Sequence, residues 1–219
     1  MSLLITVRGT AEETYPAERA TLSVTVSIAG DDKADVARRA GEVQGPLHEQ
    51  LEQLEQLGAV TRWSAGQVQV YSHRPWGPDG TRLPVEHVAR LDATADFVDF
   101  ARLSGFIDHW SGQEGVEISG PAWDVTPQNR RAYEAEVRRA AVDDAIHKAQ
   151  AYSTAVRRGR VVAVELADPG MLGDQREGGV SPMFARMSAD AAGGAAIAVT
   201  PEPIVIASAV DARFTTETP

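Results

Sequence analysis

The spacing of the hydrophobic residues changes early in this 219-residue chain, and that change constrains the fold more than any other feature. In residues 20–28, apolar side chains alternate with Thr and Ser, a pattern typical of a β-strand with one buried face. From Asp32 to Leu57 they recur at steps of three and four, which predicts a long amphipathic helix that ends at Gly58. Pro46 lies inside this helix and is expected to kink or split it.

Further strands and helices alternate along the rest of the chain. Thr126-Pro127 is a strong helix start, and the predicted helix continues to about Val156 with a stripe of mostly Ala, which can lie close to a sheet. Residues 99–110 predict a short helix. The other predicted strands are residues 3–8, 60–71, 85–98, 116–125, 161–166 and 203–214. This order predicts an α+β fold, in which a mixed or antiparallel sheet packs against two long helices and one short helix in a single domain, residues 1–219.

Two of these strands predict a long β-hairpin, because turn-forming residues fill the segment 74–81 between them. The tip combines arginines with a tryptophan, residue types that are enriched at protein interfaces, although simple solvent exposure explains them equally well. The strand that precedes the tip would also present a backbone edge for pairing with another subunit. The candidate interface residues are Val68, Val70, Arg74, Trp76 and Arg82.

Residues 169–194 are rich in Gly, Ser, Asp, Met and Ala and show no periodicity. A connection of this length is uncommon inside a compact domain, and its composition favours a flexible loop, either disordered or ordered by a partner, over a catalytic lid. The alternative is that it closes a ligand pocket lined by Trp63, Trp110 and Trp123. Tryptophans of this kind more often belong to the core.

Composition disfavours several functional classes and excludes others. The chain has 31 acidic and 21 basic residues, and its net charge of -10 repels nucleic-acid backbones and anionic membranes. Because Cys is absent, thiolate chemistry, Cys-ligated zinc and disulfides are excluded. No window approaches the roughly 18 apolar residues of a membrane span, and residues 1–9 do not resemble a secretory signal. We therefore expect a cytoplasmic protein that binds no nucleic acid.

No residue pattern predicts a catalytic centre, a metal site or a cofactor site. P-loop, dinucleotide-binding and nucleophile-elbow motifs are all missing from the sequence. Asp143, Asp144, His147 and Lys148 share one and a half turns of the second long helix. Their pairs at a spacing of four residues are typical of ordinary support on a helix surface, and we favour that interpretation over a metal or acid-base site.

Four arginines recur near one face of the same helix. Two glutamates lie among them at spacings that allow ion pairs along a helix surface. We interpret the group as a solvated charged stripe rather than a binding site. Its members are Arg130, Arg131, Glu134, Glu136, Arg138 and Arg139.

Several segments together resemble the SIMPL-domain family, named for a signalling molecule associated with a pelle-like kinase. Residues 5–9 (ITVRG) and 20–24 (ATLSV) are similar to the opening of that family, and residues 54–58 (LEQLG) resemble its LxxxG element. Residues 140–151 resemble its signature helix. The positions in register there are Asp144, Ala145, Lys148 and Ala149. The resemblance spans almost the whole chain, but its motifs are structural rather than catalytic.

The resemblance implies an α+β domain without established catalytic residues. It also implies that some relatives form large ring-like or channel-like homo-oligomers, and that bacterial members include envelope immunogens and proteins linked to oxidative-stress defence. The function we predict is a non-enzymatic, homo-oligomeric assembly or protein-interaction module without a cofactor. The alternative is a small-ligand binding protein or an enzyme. A stress role follows from the resemblance alone.

Overall fold

A computed structural model describes residues 3–172 and 199–216 and confirms the α+β class. All strand pairs of the described chain are antiparallel, and the strands form two sheets of three and five strands. The elements are β1 (Leu4–Tyr15), β2 (Arg19–Gly30), α1 (Lys33–Gln56), β3 (Val60–Ala65), β4 (Gln69–His73), β5 (Glu86–Phe97), α2 (Phe100–Ser111), β6 (Val116–Asp124), α3 (Pro127–Ala155), β7 (Val161–Ala167) and β8 (Ile204–Thr216).

The chain divides into two compact units, and the prediction of a single domain stays a prediction. The unit built on Pro16–Asp124 holds the five-stranded sheet, in which β3, β5, β2 and β6 are neighbours in that order and β4 also pairs with β5. Its core consists of the apolar faces of β2 and β5 together with α1 and α2. Asp32 accepts hydrogen bonds from two amides of the first turn of α1 and caps that helix, which continues through Pro46.

The segment predicted as one strand at residues 60–71 is divided into β3 and β4. Both pair with β5, which confirms the predicted hairpin. Ala65 lies opposite Ala93 and Gln69 lies opposite Arg90, so the first strand has one residue more than its partner between these pairs. Gly66 lies in this extra segment and donates its amide to the Asp92 carbonyl at 2.9 Å. A bulge, which sequence periodicity does not reveal, therefore interrupts the strand.

The other unit contains the three-stranded sheet, with β8 between β1 and β7, and α3 packs on one of its faces. The buried stripe of α3 is Val137, Ala141, Ala145, Ala149 and Ser153. Small side chains let the backbones approach closely, as the Ala stripe predicts. At Gly9 in β1, an added Cβ would clash with the Ala141 carbonyl oxygen and lie 2.8 Å from the Ala145 Cβ.

Candidate functional site

The signature helix contacts β1 through a charged pair. The Thr10 amide donates a hydrogen bond to Asp144 Oδ2 at 2.8 Å, and Lys148 Nζ donates one to the Arg8 carbonyl at 3.0 Å. Asp144 and Lys148 also form an ion pair at 2.6 Å. The hydrogen bonds from Lys148 and from the Thr10 amide lower the pKa of Asp144 below its usual value. Sequence spacing revealed the pair but not its backbone partners in β1.

These backbone partners lie on the outer edge of β1. The Thr216 amide donates to the Leu3 carbonyl, and hydrogen-bonded pairs alternate along an antiparallel ladder. Odd-numbered residues of β1 therefore point their backbone groups toward β8, whereas Arg8 and Thr10 point theirs away from it. Asp144 and Lys148 thus occupy two backbone groups near the middle of an edge with which another strand could otherwise pair. We call this arrangement the β1 clamp.

The opposite edge of the same sheet is formed by β7 and lacks such a clamp. Among the described residues, β8 is the strand that pairs with β7, and nothing pairs with its other side. Val162, Val164 and Leu166 are 42%, 59% and 51% exposed, and Glu165 is held by Arg213 at 2.7 Å. Residues 161–166 were predicted as a strand, but its position at a sheet edge was not predicted.

A turn ends β7 before it covers the whole of β8. Pro169 and Gly170 occupy the central positions of this turn, the Met171 amide donates to the Asp168 carbonyl at 3.0 Å, and Gly170 has a φ of 87°. This is the chemistry of a type II turn, in which proline presets the first central residue and glycine accepts positive φ at the second. In consequence β7 pairs only with residues 211–216 of β8.

The first half of β8 therefore has one side without a strand partner in the described chain. β1 pairs along the full length of β8, and by the same alternation Val205, Ala207 and Ala209 point their amides and carbonyls away from β1. We call residues 204–210 on this side the open edge of β8. This edge lies where β7 would pair with β8 if the strand continued beyond the turn at Pro169 and Gly170.

A shallow groove of about 220 Å³ lies along this edge, between β8 and α3. On the helix side, Glu134 lies between two arginines, with Arg138 at 3.1 Å and Arg130 at 4.0 Å from its carboxylate. These pairs are the i to i+4 ion pairs expected from the sequence. The full lining of this β8 groove is Arg130, Glu134, Arg138, Val205, Ile206, Ala207 and Ser208.

One comparison with known proteins identifies the family. A family model described as SIMPL, a protein of unknown function (DUF541), matches residues 5–214. The chain belongs to the SIMPL family. No curated protein matches it. Within this SIMPL chain, two of the four segments that carried the resemblance, residues 5–9 and 140–151, contact each other at the β1 clamp and at Gly9.

The hairpin tip of the SIMPL chain is well defined by its own contacts. Trp76 is 65% exposed, pairs across the tip with Arg82, and has the Arg82 guanidinium 4.9 Å from its ring centre. Asp79 accepts hydrogen bonds from both the amide and the hydroxyl of Thr81, and these bonds lower the pKa of Asp79. Arg74 is exposed at the start of the tip. These residues are accessible to a partner, as an interface there requires.

Val68 and Val70 have a different environment. Both side chains are half-buried and pack against the core of the unit built on Pro16–Asp124. The accessible part of this edge is therefore its backbone together with side chains on the opposite face, such as Tyr71. The prediction that this strand forms an interface stays a prediction, but these two valines also stabilise the fold.

Two of the three candidate pocket tryptophans bond to α1, and the third packs against α2. Trp110 is buried in α2 and donates its indole N–H to Gln50 Oε1 at 2.6 Å. Trp63 donates to Glu55 Oε2 at 2.9 Å, and Trp123 packs edge-on against Phe100. The β8 groove contains none of the three. Most of the predicted loop at residues 169–194 lies outside the described residues, so the pocket that it would close stays a prediction.

Asp96 is the buried carboxylate of the five-stranded sheet, at 5% exposure. Its oxygens accept hydrogen bonds from Thr21 at 2.7 Å, Arg62 at 2.9 Å and Arg19 at 3.2 Å. Three donors already occupy the carboxylate, so this cluster stabilises the sheet rather than offering a reactive acid.

Residues 3–172 and 199–216 contain no group of three His, Asp or Glu side chains that could hold a metal ion. His73 and His87 occupy successive positions of the hairpin ladder, opposite Glu86 and Ser72 respectively, and therefore project to opposite faces. None of the helices in the described chain is long and apolar enough to cross a bilayer.

Proposed function

We propose that this SIMPL chain is a non-enzymatic assembly or protein-interaction module whose subunits associate through sheet edges into a homo-oligomer. The observation that carries the proposal is the outer edge of β7, which exposes three large apolar side chains and has no strand partner among the described residues. Another strand can pair with an exposed apolar edge, because pairing satisfies the backbone groups of that edge and buries its apolar side chains against those of the added strand.

The contrast with the β1 clamp supports this proposal. Charged side chains that occupy an edge oppose pairing there. A pair from α3 occupies the edge of β1, whereas β7 carries a single acid that is already held by Arg213. The hairpin tip with Trp76 and Arg82 provides a second exposed surface for a protein partner. A cytoplasmic location and a stress role have support from the sequence alone.

The proposal is tested by the absolute mass of the full chain, measured by light scattering on a sizing column at two salt concentrations. We expect a defined multiple of 23.4 kDa that persists in high salt, because the β7 edge is apolar. The double substitution Val162→Lys and Leu166→Lys should shift the mass toward that of a monomer.

Leu57→Lys is the matched control for these lysine substitutions. Leu57 is 62% exposed at the end of α1 and belongs to no strand, so the same change in charge and apolarity there should leave the mass unchanged. A monomeric wild-type chain would overturn the proposal. Equal effects of the edge and control substitutions would remove β7 as the site of association.

A further inference from the structure

Two tyrosines from distant parts of the chain lie face to face in the unit that contains the three-stranded sheet. Tyr15 is the last residue of β1 and Tyr133 lies in the second turn of α3, and their ring centres are 3.8 Å apart with an angle of 14° between the ring planes. Aromatic pairs more often adopt offset or edge-on arrangements, with centres about 4.5 to 7 Å apart. At the shorter distance, ring carbons of the two residues are in van der Waals contact. We call these two residues the tyrosine pair.

Packing holds the tyrosine pair in this arrangement. Both rings are half-buried and pack against a small apolar cluster that consists of Val125, Val137 and Ile206. Because each residue also keeps an exposed part, an oxidant in solution can take an electron from the pair.

A carboxylate lies beside one hydroxyl of the tyrosine pair. The Tyr15 hydroxyl donates a hydrogen bond to Glu136 Oε2 at 3.4 Å. Glu136 follows Tyr133 by three residues on α3, so one helix face provides both the second ring and the acceptor. Burial of the ring and the charge of Glu136 raise the pKa of Tyr15, and this phenol therefore stays protonated at neutral pH. Loss of an electron makes a phenol strongly acidic, and the carboxylate can then receive its proton.

We propose that the tyrosine pair is a site of oxidative modification, at which a one-electron oxidant joins Tyr15 to Tyr133 as an intramolecular dityrosine. Two equivalents of the oxidant are reduced, and each removes one electron from one phenol. The Tyr15 proton passes to Glu136 and the Tyr133 proton to water. The two radicals then form one carbon–carbon bond between ring positions next to their hydroxyls. The hydrogens on these two carbons leave as protons and each oxygen regains one, so two electrons and two protons are lost in total.

Contact between the rings favours this product over links between chains. A radical that is held beside its partner couples in an effectively unimolecular step, whereas exposed tyrosines of different chains must first meet. The other two tyrosines of the chain, Tyr71 and Tyr152, are 51% and 59% exposed, and neither contacts another tyrosine ring within the described residues. The link forms within one subunit, so it is independent of association through β7.

The test oxidises the full chain at low concentration with photoexcited tris(bipyridine)ruthenium(II) and persulfate as the source of the one-electron oxidant. Denaturing electrophoresis separates single chains from chains joined to one another. We expect dityrosine fluorescence in the single-chain band, with a mass lower by two hydrogen atoms, and a tryptic product in which residues 9–19 are joined to residues 132–138. In concentrated urea this yield should fall by at least about tenfold, because the contact depends on the fold.

Protein variants identify the residues. Tyr15→Phe and Tyr133→Phe keep both rings but remove one phenol, so each should lower the yield of dityrosine in the single-chain band by at least about tenfold. Tyr152→Phe is the matched control, since Tyr152 is exposed on the same helix, and it should leave the yield unchanged. Glu136→Gln keeps a hydrogen-bond acceptor but removes the base, so the initial rate should fall several-fold. Thermal melting verifies that all four variants fold.

Several outcomes would overturn the proposal. Absence of dityrosine from the single-chain band, or an equal yield in concentrated urea, would show that the tyrosine pair does not couple. A yield in Tyr15→Phe equal to that of the wild type, or a tryptic link to Tyr71 or Tyr152, would assign the product to other residues. An unchanged rate in Glu136→Gln would exclude Glu136 as the proton acceptor.

Discussion

The two sides of the three-stranded sheet differ in how their backbone groups are satisfied. On the β1 side, Asp144 and Lys148 bond to an amide and a carbonyl that point away from the sheet. On the other side, β7 exposes apolar side chains, and the first half of β8 has a described strand partner in β1 but none on its β7 side. One edge of the sheet is thus partly occupied by charged side chains, whereas the other has no strand partner within residues 3–172 and 199–216.

The difference between the two edges follows from the position of α3. Long helix α3 lies against all three strands, yet its charged pair is directed to only one edge. The family motif on this helix therefore has a physical role: its small residues allow close packing, and its Asp and Lys occupy two backbone groups on the edge of β1. The association proposed above would then use the side of β7 rather than that of β1.

The largest effect is expected when the close approach that positions the β1 clamp is removed. Gly9→Ala would place a methyl group against the Ala141 carbonyl and the Ala145 Cβ, so β1 or α3 must move. We expect the free energy of unfolding to fall by about 3 kcal/mol, measured by urea denaturation.

Gly41→Ala is the control for this substitution. It lies inside α1 with no atom within 4 Å of the added methyl, and alanine is the better helix former, so stability should rise by about 0.5 to 1 kcal/mol. A neutral Gly9→Ala variant would contradict the close packing of β1 on α3.

Opening the β1 clamp should make the two edges more alike. Asp144→Ala removes the acceptor of the Thr10 amide and the partner of Lys148. We expect a lower melting temperature and additional high-mass species in light scattering, because β1 becomes a second edge for pairing. The exposed neighbour Asp143→Ala should show neither change, and equal behaviour of the two variants would exclude an edge-closing role for Asp144.

Acid should weaken both contacts that Asp residues make with β1. Hydrogen bonds from Lys148 and the Thr10 amide lower the pKa of Asp144, and those from Arg8 and the Gly170 amide lower the pKa of Asp211. A lowered pKa in the folded state means that the ionised form stabilises folding. This contribution is complete above about pH 4, the ordinary range of Asp, and is lost as pH falls through the folded pKa.

Urea denaturation at a series of pH values from neutral to about pH 2 measures this loss in the free energy of unfolding. The double substitution Asp144→Asn and Asp211→Asn should flatten the decline of stability in acid relative to the wild type. An unchanged slope would show that these two carboxylates are not differentially ionised between the folded and unfolded states.

The smallest effect on stability is expected at the hairpin tip. Trp76 is exposed and contacts Arg82, so Trp76→Ala should change the free energy of unfolding by less than about 0.5 kcal/mol. A loss of mass in light scattering would extend the associating surface from β7 to this tip. An unchanged mass would confine association to the three-stranded sheet.

Local periodicity predicted most of the elements, because alternation and helical spacing are properties of adjacent residues. The Ala stripe of α3 even predicted close packing, which Gly9 confirms. The distribution of the strands between two sheets was not predicted, since β1 finds its partner near the other end of the chain. For the same reason the spacing of Asp144 and Lys148 indicated a helix-surface pair, while their contacts to Arg8 and Thr10 needed the structure.

The candidate sites show the same limit. Exposure of Trp76 and Arg82 followed from the turn-forming residues around them, whereas Val68 and Val70 face the core because of a pairing register that includes a bulge. The β7 edge and the β8 groove exist because β7 ends before it has paired with the whole of β8. The periodicity of a sequence does not show where one strand ends relative to its neighbour in the sheet.

The pairing of β1 with β8 also has a consequence for synthesis on the ribosome. Pro16–Asp124 contains every strand of the five-stranded sheet in one continuous stretch, so that sheet can form while the remaining chain is still being made. β1 emerges before that sheet, but its partner Ile204–Thr216 emerges after it. A nascent chain that stops before Ile204 therefore holds β1 without its strand partner.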